Sequence, residues 1–362
     1  MIFYFLLTIL LFFILYLASR KGDKYHSLFY FLFFFIIFLI AGLRGDVGQD
    51  TYSYQLQYDS LTSPEAFLFQ LNRAEPILYF IMYPYKLIFD NFFGYTGFLL
   101  LISLLQTILL SYATKEMYHR STFLAIYIVI IYLDYHFNVL RASLALLFFL
   151  CSLRVVNNDS KKSIVFYILA LLSHFSALIF LPVLLVSFKL KPRHYIFIVG
   201  VFVGVGAGIA ISFGDLINNK ILGYNLLDRS SFNFPFLVFA LLCFLWLTFL
   251  YNKEKSFQLI VALSVFSIAF FSSSFSDIAY RLYFISFTVL AYLTLYEKSF
   301  NVKDFRSQPH FLSIFLLCLW LGYISIKFVV QERDNRVQTG NGIPDFSFAP
   351  YSLYSDSKYR QK

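Results

Sequence analysis

Long apolar runs separated by short polar stretches fill most of the chain. Nine of these runs approach the length of about 20 mostly apolar residues that a helix needs to cross a bilayer. They cover residues 2–18, 27–43, 95–112, 137–156, 195–213, 232–251, 257–272, 278–296 and 311–329. The pattern predicts an all-α polytopic membrane protein.

Three further apolar stretches are irregular. Residues 76–88 and 122–135 are short, and residues 163–188 are interrupted near His174 and Pro182. Such stretches are typical of functional sites, because non-helical backbone at membrane depth is tolerated only where protein or water covers it. With them the chain is expected to hold about ten to twelve transmembrane helices.

The composition excludes an ordinary soluble protein. Of the 362 residues, 59% are hydrophobic and only 14% are charged, against roughly 25% charged in soluble domains. The net charge of +9 does not indicate nucleic-acid binding, because the basic residues stand singly or in small groups between apolar runs. The expected partner is the lipid bilayer.

Lysine and arginine in short loops indicate the cytoplasmic side of a membrane protein. The basic loops contain Arg20, Lys21 and Lys24; Lys161 and Lys162; Lys253 and Lys255; and Lys298, Lys303 and Arg306. All of these basic loops lie on one side of the membrane if residues 76–88 do not cross it fully and residues 163–188 enter it and return as two half-helices. Residues 1–330 then form a single transmembrane domain, with a large extracytoplasmic loop at residues 44–75. Residues 331–362 would be an extracytoplasmic tail.

The first candidate site lies in the loop after the second run, which contains Arg44, Asp46, Asp50 and Tyr52. A guanidinium at the membrane interface matches the geometry of a phosphate or a carboxylate. Asp46 and Asp50 could bind sugar hydroxyls, fix Arg44 or act as a base, and Tyr52 could stack on a sugar ring. The alternatives are a helix ending at a glycine, a snorkelling arginine and an interfacial tyrosine.

The second candidate site is a polar interruption that contains His136, with Arg141 about one turn into the next apolar run. An arginine costs about 2.5 to 3.5 kcal/mol at the centre of a bilayer. The cost favours an anion-binding role over the alternative, a snorkelling side chain paired with Asp134 or His136.

Two more ionisable groups lie in apolar stretches. An ionisable residue within the membrane, such as His174, is typical of a functional site. The alternative is that the His174 side chain only packs among its neighbours. No second histidine or cysteine lies at zinc-ligand spacing from it, so no metal is expected. Arg281 follows Asp277 at the spacing of a helical ion pair, which is the alternative to a ligand-binding role.

The predicted topology gathers the candidate residues on one side. Arg44, Arg141 and Arg281 would lie near the outer face, on three different helices, with His174 at mid-depth between them. Several arginines around one outward cavity predict a polyanionic ligand such as a diphosphate.

These segments resemble the EpsG-like members of the Wzy family, bacterial polymerases of O-antigen, capsule and exopolysaccharide repeat units. The matching residues are 41–44 (Ala-Gly-Leu-Arg), 48–52 (Gly-Gln-Asp-Thr-Tyr), 140–145 (Leu-Arg-Ala-Ser-Leu-Ala), 173–178 (Ser-His-Phe-Ser-Ala-Leu) and 281–283 (Arg-Leu-Tyr). Their order and spacing cover most of the chain. The glutamine usual after the second arginine is replaced here by Ala142.

The resemblance implies a GT-C-like fold in the bacterial inner membrane and a metal-independent glycosyltransferase without a cofactor. Its substrates would be undecaprenyl-diphosphate-linked oligosaccharides, joined at the periplasmic face by transfer of the growing chain to a new unit. Arg44, Arg141 and Arg281 would bind the two lipid diphosphates, and His174 or Asp50 would position or deprotonate the acceptor hydroxyl. A chain-length regulator is a candidate partner.

Other functions fit the same pattern. A flippase for lipid-linked oligosaccharides or a polysaccharide transporter also needs a basic cavity and broken helices. Such a protein would need basic residues reachable from both sides, whereas here they gather on one. A related ligase would share the fold and differ in its acceptor.

Overall fold

The computed structural model describes residues 2–20, 25–44, 50–71, 75–188 and 277–296, and the elements in this part of the chain are helical. They are α1 (Ile2–Ser19), α2 (His26–Gly42), α3 (Thr51–Ser60), α4 (Pro64–Leu71), α5 (Ile77–Thr114), α6 (Arg120–Tyr127), a π-helix (Ile128–His136), α7 (Leu140–Val155), α8 (Ser160–Ser173), a 3-10 helix (Phe175–Phe180), α9 (Leu181–Ser187) and α10 (Asp277–Tyr296). The predicted all-α fold is confirmed for these residues. The predicted runs at 195–213, 232–251, 257–272 and 311–329, and the tail at 331–362, lie outside them.

One helix of the described residues, α5, is long and apolar enough to cross a membrane by length and composition. It indicates that the protein associates with a membrane. The shorter apolar helices are Leu6–Ser19, His26–Gly42, Arg120–Leu133, Phe175–Ser187 and Phe284–Tyr296. The predicted number of spans therefore stays a prediction.

Helix α5 consists of two arms that meet at Gly94, where φ is 51° and ψ is −151°. The ring centroids of Tyr85 and Phe98 are only 6.0 Å apart, whereas a straight helix would separate such residues by about 20 Å. The first arm therefore folds back against the second. This break confirms that residues 76–88 and 95–112 belong to separate helical segments.

We expect Gly94→Ala to lower the thermal unfolding midpoint of the protein in detergent, because only glycine adopts this backbone conformation without strain. Apart from its chain neighbours and the adjacent helix backbone, no atom of the described residues lies within 4 Å of a Cβ placed at Gly94, so we expect a backbone effect of about 1–3 kcal/mol. Asn91→Ala, an exposed change in the first arm, is the matched control and should leave the midpoint nearly unchanged. Equal midpoints for the two variants would contradict this explanation of the bend.

Helix α7 lies in the centre of the described bundle and packs against α5 and α8. Each of its residues is buried except Arg141 and Arg154, which lie near its opposite ends. Its contact with α8 is close because small residues meet there: the Ser152 hydroxyl lies 3.0 Å from the Ser163 hydroxyl. The two arginines of α7 thus mark the two ends of the bundle.

The end marked by Arg154 carries other basic residues. Arg154 forms an ion pair with Glu116, and its guanidinium donates to the Tyr112 carbonyl at 2.7 Å. Arg120 lies over the Tyr30 ring at 4.2 Å. Lys161 and Lys162, in the first turn of α8, follow the end of α7 by a short connection. Of the basic residues on which the predicted cytoplasmic side rests, Lys161 and Lys162 lie at this end, together with Arg154 and Arg120.

The chain turns back sharply at His174, between α8 and the 3-10 helix. The Tyr167 hydroxyl in α8 donates to the Ala177 carbonyl at 3.2 Å, and Phe180 stacks on Phe149 of α7 with ring centroids 5.2 Å apart. The predicted interruption near His174 is confirmed, and Pro182 lies in the first turn of α9. The broken stretch enters the bundle and folds back along itself.

Candidate functional site

The end of the bundle opposite Arg154 is built around a long π-helix. Nine residues, Ile128–His136, adopt this rare conformation directly before α7, and π-helical turns are frequent at functional sites. The Tyr132 hydroxyl donates to the Ile37 carbonyl of α2 at 2.7 Å. The π-helix therefore joins α2 to the start of α7.

Arg44 strengthens this junction from inside the protein. Its side chain is 1% exposed, and Nη1 donates to the Ala41 carbonyl at 2.8 Å and to the His136 carbonyl at 2.7 Å. The guanidinium also lies 5.4 Å from the centre of the Phe137 ring. Carbonyls at helix C-termini carry partial negative charge, so a buried cation is favourable here. Arg44 holds the end of α2 against the end of the π-helix.

His136 is enclosed in the same junction. It is fully buried, and its Nε2 lies 2.8 Å from the Tyr127 hydroxyl. The Tyr132 ring packs on it at 5.1 Å between centroids. In this arrangement His136 lies among protein groups rather than at a surface.

Helix α3 covers this end of the bundle and is held by both arms of α5. The Tyr58 hydroxyl donates to Asp90 at 2.6 Å, and Lys86 Nζ donates to the Tyr58 carbonyl at 2.7 Å. On the second arm, the Tyr95 hydroxyl donates to the Thr51 carbonyl at 3.1 Å. Burial and the neighbouring Asp90 raise the pKa of Tyr58, so this tyrosine stays a neutral donor.

The buried face of α3 reaches Arg141. Tyr54 is 2% exposed, and the Arg141 Cζ lies 5.9 Å from the centre of its ring. Burial raises the pKa of Tyr54, and the positive charge of Arg141 partly opposes the shift. Asp50 lies one turn before Tyr54 at the start of α3, and its charge also acts on this tyrosine.

Arg141 and His174 meet at the carboxylate of Glu75. Glu75 Oε2 lies 2.7 Å from Arg141 Nη1, and Glu75 Oε1 lies 3.5 Å from His174 Nε2. The carboxylate is 10% exposed, whereas the side chains of Arg141 and His174 are each 31% exposed. In this cluster of Glu75, Arg141 and His174, called the Glu75 cluster below, the two nitrogen donors are thus more exposed than the carboxylate.

Glu75 has an unusual backbone. It lies directly before Pro76, where α5 begins, and its φ of 65° is positive. For a residue other than glycine this conformation costs energy and is found disproportionately at active sites. In this turn the carboxylate contacts Arg141 and His174.

The hydrogen bonds of His174 fix the position of its proton. The backbone N–H of Ser176 donates to His174 Nδ1 at 3.0 Å, so this nitrogen is an acceptor. A neutral imidazole that accepts at Nδ1 carries its hydrogen on Nε2. His174 therefore presents an N–H donor towards Glu75.

The Glu75 cluster has the chemistry of an anion site with a built-in carboxylate. The Arg141 guanidinium contacts one oxygen of the Glu75 carboxylate, and the His174 imidazole N–H points at the other. A phosphate could take the place of the carboxylate on both donors. Among the described residues, no group of three or more histidine, cysteine, aspartate or glutamate side chains is placed to hold a metal ion.

The residues predicted from the sequence lie in different parts of the structure. Arg141 and His174 meet at the Glu75 cluster, while Arg44 and His136 lie in the buried junction beside it. Asp50 is near Tyr54, and Tyr52 on the outer face of α3 is 70% exposed. Asp46 and the side chains of Asp134 and Arg281 lie outside the described residues.

Glu75 was not among the candidate residues predicted from the sequence. The one sign of it in the sequence is that it lies directly before a proline that opens a short apolar stretch, with Arg73 nearby. Its partners Arg141 and His174 are 66 and 99 residues further along the chain. Only the three-dimensional structure brings these groups together.

Comparison with known proteins identifies one family. The model of the EpsG family matches residues 27–338, a range that includes Arg44, the whole Glu75 cluster and Arg281. The chain matches no curated protein and no solved structure.

Proposed function

The chain belongs to the EpsG family, which is associated with exopolysaccharide biosynthesis, and on this premise we propose that it is a polysaccharide polymerase. Membership confirms the family resemblance noted in the sequence motifs. The proposed substrates are undecaprenyl-diphosphate-linked oligosaccharide repeat units. The proposed product is a longer chain on one lipid and a free undecaprenyl diphosphate.

The Glu75 cluster is the observation that carries this proposal. In a transfer from a lipid diphosphate, negative charge develops on the leaving oxygen as the glycosidic bond breaks. Fixed hydrogen-bond donors stabilise such charge strongly in a site shielded from water. Arg141 and His174 supply such donors, and the diphosphate leaves with its own charge, so no activated nucleotide is required.

We assign separate roles to the arginines. Arg141 binds the donor diphosphate directly, because its side chain is partly exposed and its guanidinium already contacts a carboxylate. Arg44 is a positioning residue, because its buried side chain donates to two backbone carbonyls and so fixes the start of α7. Arg281 is assigned to the second lipid diphosphate.

The placement of α10 supports this assignment of Arg281. The backbone N–H of Tyr118 donates to the Tyr296 carbonyl at the C-terminal end of α10, and the Tyr292 hydroxyl donates to Ala113. Both contacts lie at the Arg154 end of the bundle. The backbone of α10 therefore starts towards the end that holds the Glu75 cluster.

We also propose that the chain crosses the bacterial inner membrane several times, with the Glu75 cluster on the periplasmic side. The basic residues Arg154, Arg120, Lys161 and Lys162 are grouped at the other end of the bundle. The positive-inside rule assigns that end to the cytoplasm. The exposed phenylalanines and leucines of α1, α2 and α5 then face lipid.

The test is reconstitution with the isolated lipid-linked repeat unit. Purified protein in detergent should convert undecaprenyl-diphosphate-linked units into a ladder whose steps are one repeat unit, with release of undecaprenyl diphosphate. Gel electrophoresis and mass spectrometry of the lipid fraction would measure both products. Unchanged lipid in detergent, together with movement of the same lipid across a vesicle membrane, would contradict a polymerase and indicate a flippase.

A further inference from the structure

We propose that Glu75 is the general base that deprotonates the acceptor hydroxyl, and that the donor diphosphate releases it for this task by taking over Arg141 and His174. This inference rests on the proposed polymerase function. It adds a residue that the sequence did not indicate, and it assigns an order to the events at the site.

The position of Glu75 favours it over the other described carboxylates at this end of the bundle. It contacts both donors that a diphosphate would use, at 2.7 Å and 3.5 Å. Asp90 accepts a hydrogen bond from the Tyr58 hydroxyl at 2.6 Å and so is engaged in holding α3. Asp50 lies at the start of α3 beside Tyr54 rather than between Arg141 and His174.

The geometry of His174 argues against its being the base. A base needs a nitrogen lone pair directed at the acceptor, but Nδ1 already accepts the Ser176 backbone proton, and Nε2 then carries hydrogen. With this tautomer His174 donates a hydrogen bond, which suits the diphosphate. The role of accepting a proton falls to the carboxylate beside it.

Donor binding changes the surroundings of Glu75. Before binding, the two carboxylate oxygens of Glu75 are engaged by Arg141 and His174. A diphosphate that binds Arg141 and His174 takes over these two donors. The carboxylate oxygens are then open to the acceptor hydroxyl, so Glu75 serves as the base when the donor is present.

The proposed step conserves atoms and charge. The acceptor hydroxyl gives its proton to a Glu75 oxygen while its own oxygen bonds to the anomeric carbon of the donor sugar. The bond from that carbon to the diphosphate oxygen breaks, and its electron pair leaves with undecaprenyl diphosphate. The proton then passes from Glu75 to water, and the carboxylate returns to Arg141 and His174.

The decisive variant is Glu75→Gln, which keeps the shape of the side chain but cannot accept the proton. We expect its rate of chain extension to fall by about 10²- to 10⁴-fold, the range for losing a general base. Its dissociation constant for undecaprenyl diphosphate should stay equal or become lower, because the competing carboxylate is gone. Measurement in detergent of binding and extension on the same preparation also establishes that the variant is folded.

The matched control is Glu65→Gln, which removes an exposed glutamate from the same loop. It should retain the extension rate of the natural protein.

Three results would overturn the inference in distinguishable ways. Natural protein that extends no chains would refute the polymerase function itself. Active natural protein with an equally active Glu75→Gln variant would refute the base alone. A variant that loses undecaprenyl diphosphate binding together with extension would show that Glu75 only shapes the site.

Discussion

Arg141→Ala is expected to leave single repeat units on their lipid carrier and no long chains, while the protein still inserts into the membrane. The guanidinium is the strongest donor of the Glu75 cluster, and its loss removes stabilisation of the departing diphosphate. Losing one such donor costs about 10²- to 10³-fold in rate. The length distribution of lipid-linked products from the reconstituted variant measures this effect.

Arg154→Gln is the matched control, since it removes an arginine from the opposite end of the same helix. It should preserve polymer length. Arg141→Lys should restore only part of the activity, because an ammonium group lacks the planar fork that binds two phosphate oxygens at once. Normal polymer length in the Arg141→Ala variant would contradict the assignment of Arg141 to the diphosphate.

Arg44→Ala should reduce the amount of folded protein more than it alters the chemistry. The side chain makes two charge-assisted hydrogen bonds to buried carbonyls, and its removal leaves these acceptors without their donor. We expect a loss of about 3 kcal/mol in the free energy of unfolding. Size-exclusion chromatography of detergent-solubilised protein, after heating to a series of temperatures, would measure the fraction that stays folded.

Arg44→Lys separates stability from ligand binding. A lysine can reach a carbonyl but not replace the guanidinium geometry, so it should recover only part of the lost stability. Whatever Arg44→Ala protein remains folded should bind undecaprenyl diphosphate with nearly natural affinity. A stable Arg44→Ala variant that fails to bind this lipid would instead show that Arg44 contacts the diphosphate itself.

Sequence patterns indicated the long apolar helices because apolar length is a local property. The runs at 2–18, 27–43 and 137–156 correspond to α1, α2 and α7. The interruption near His174 was predictable for the same reason, whereas α3 and α4 fold within the stretch predicted as a loop.

The organisation of the candidate site was less predictable, for a physical reason. Arg44 donates to backbone carbonyls, which every residue possesses and which leave no trace in residue type. Glu75 is selected by a strained turn and by donors from two distant helices. Neither kind of contact has a spacing along the chain that a pattern could detect.

Because α3 is held by both arms of α5, its two faces are under different evolutionary constraints. Its inner face, with Tyr54 and Tyr58, packs against the bundle and reaches Arg141, so changes there would disturb the Glu75 cluster. Its outer face, with Tyr52 and Leu56, is exposed and can change without such cost. The proposed function then allows acceptor preference to change through this outer face while the residues beneath it stay the same.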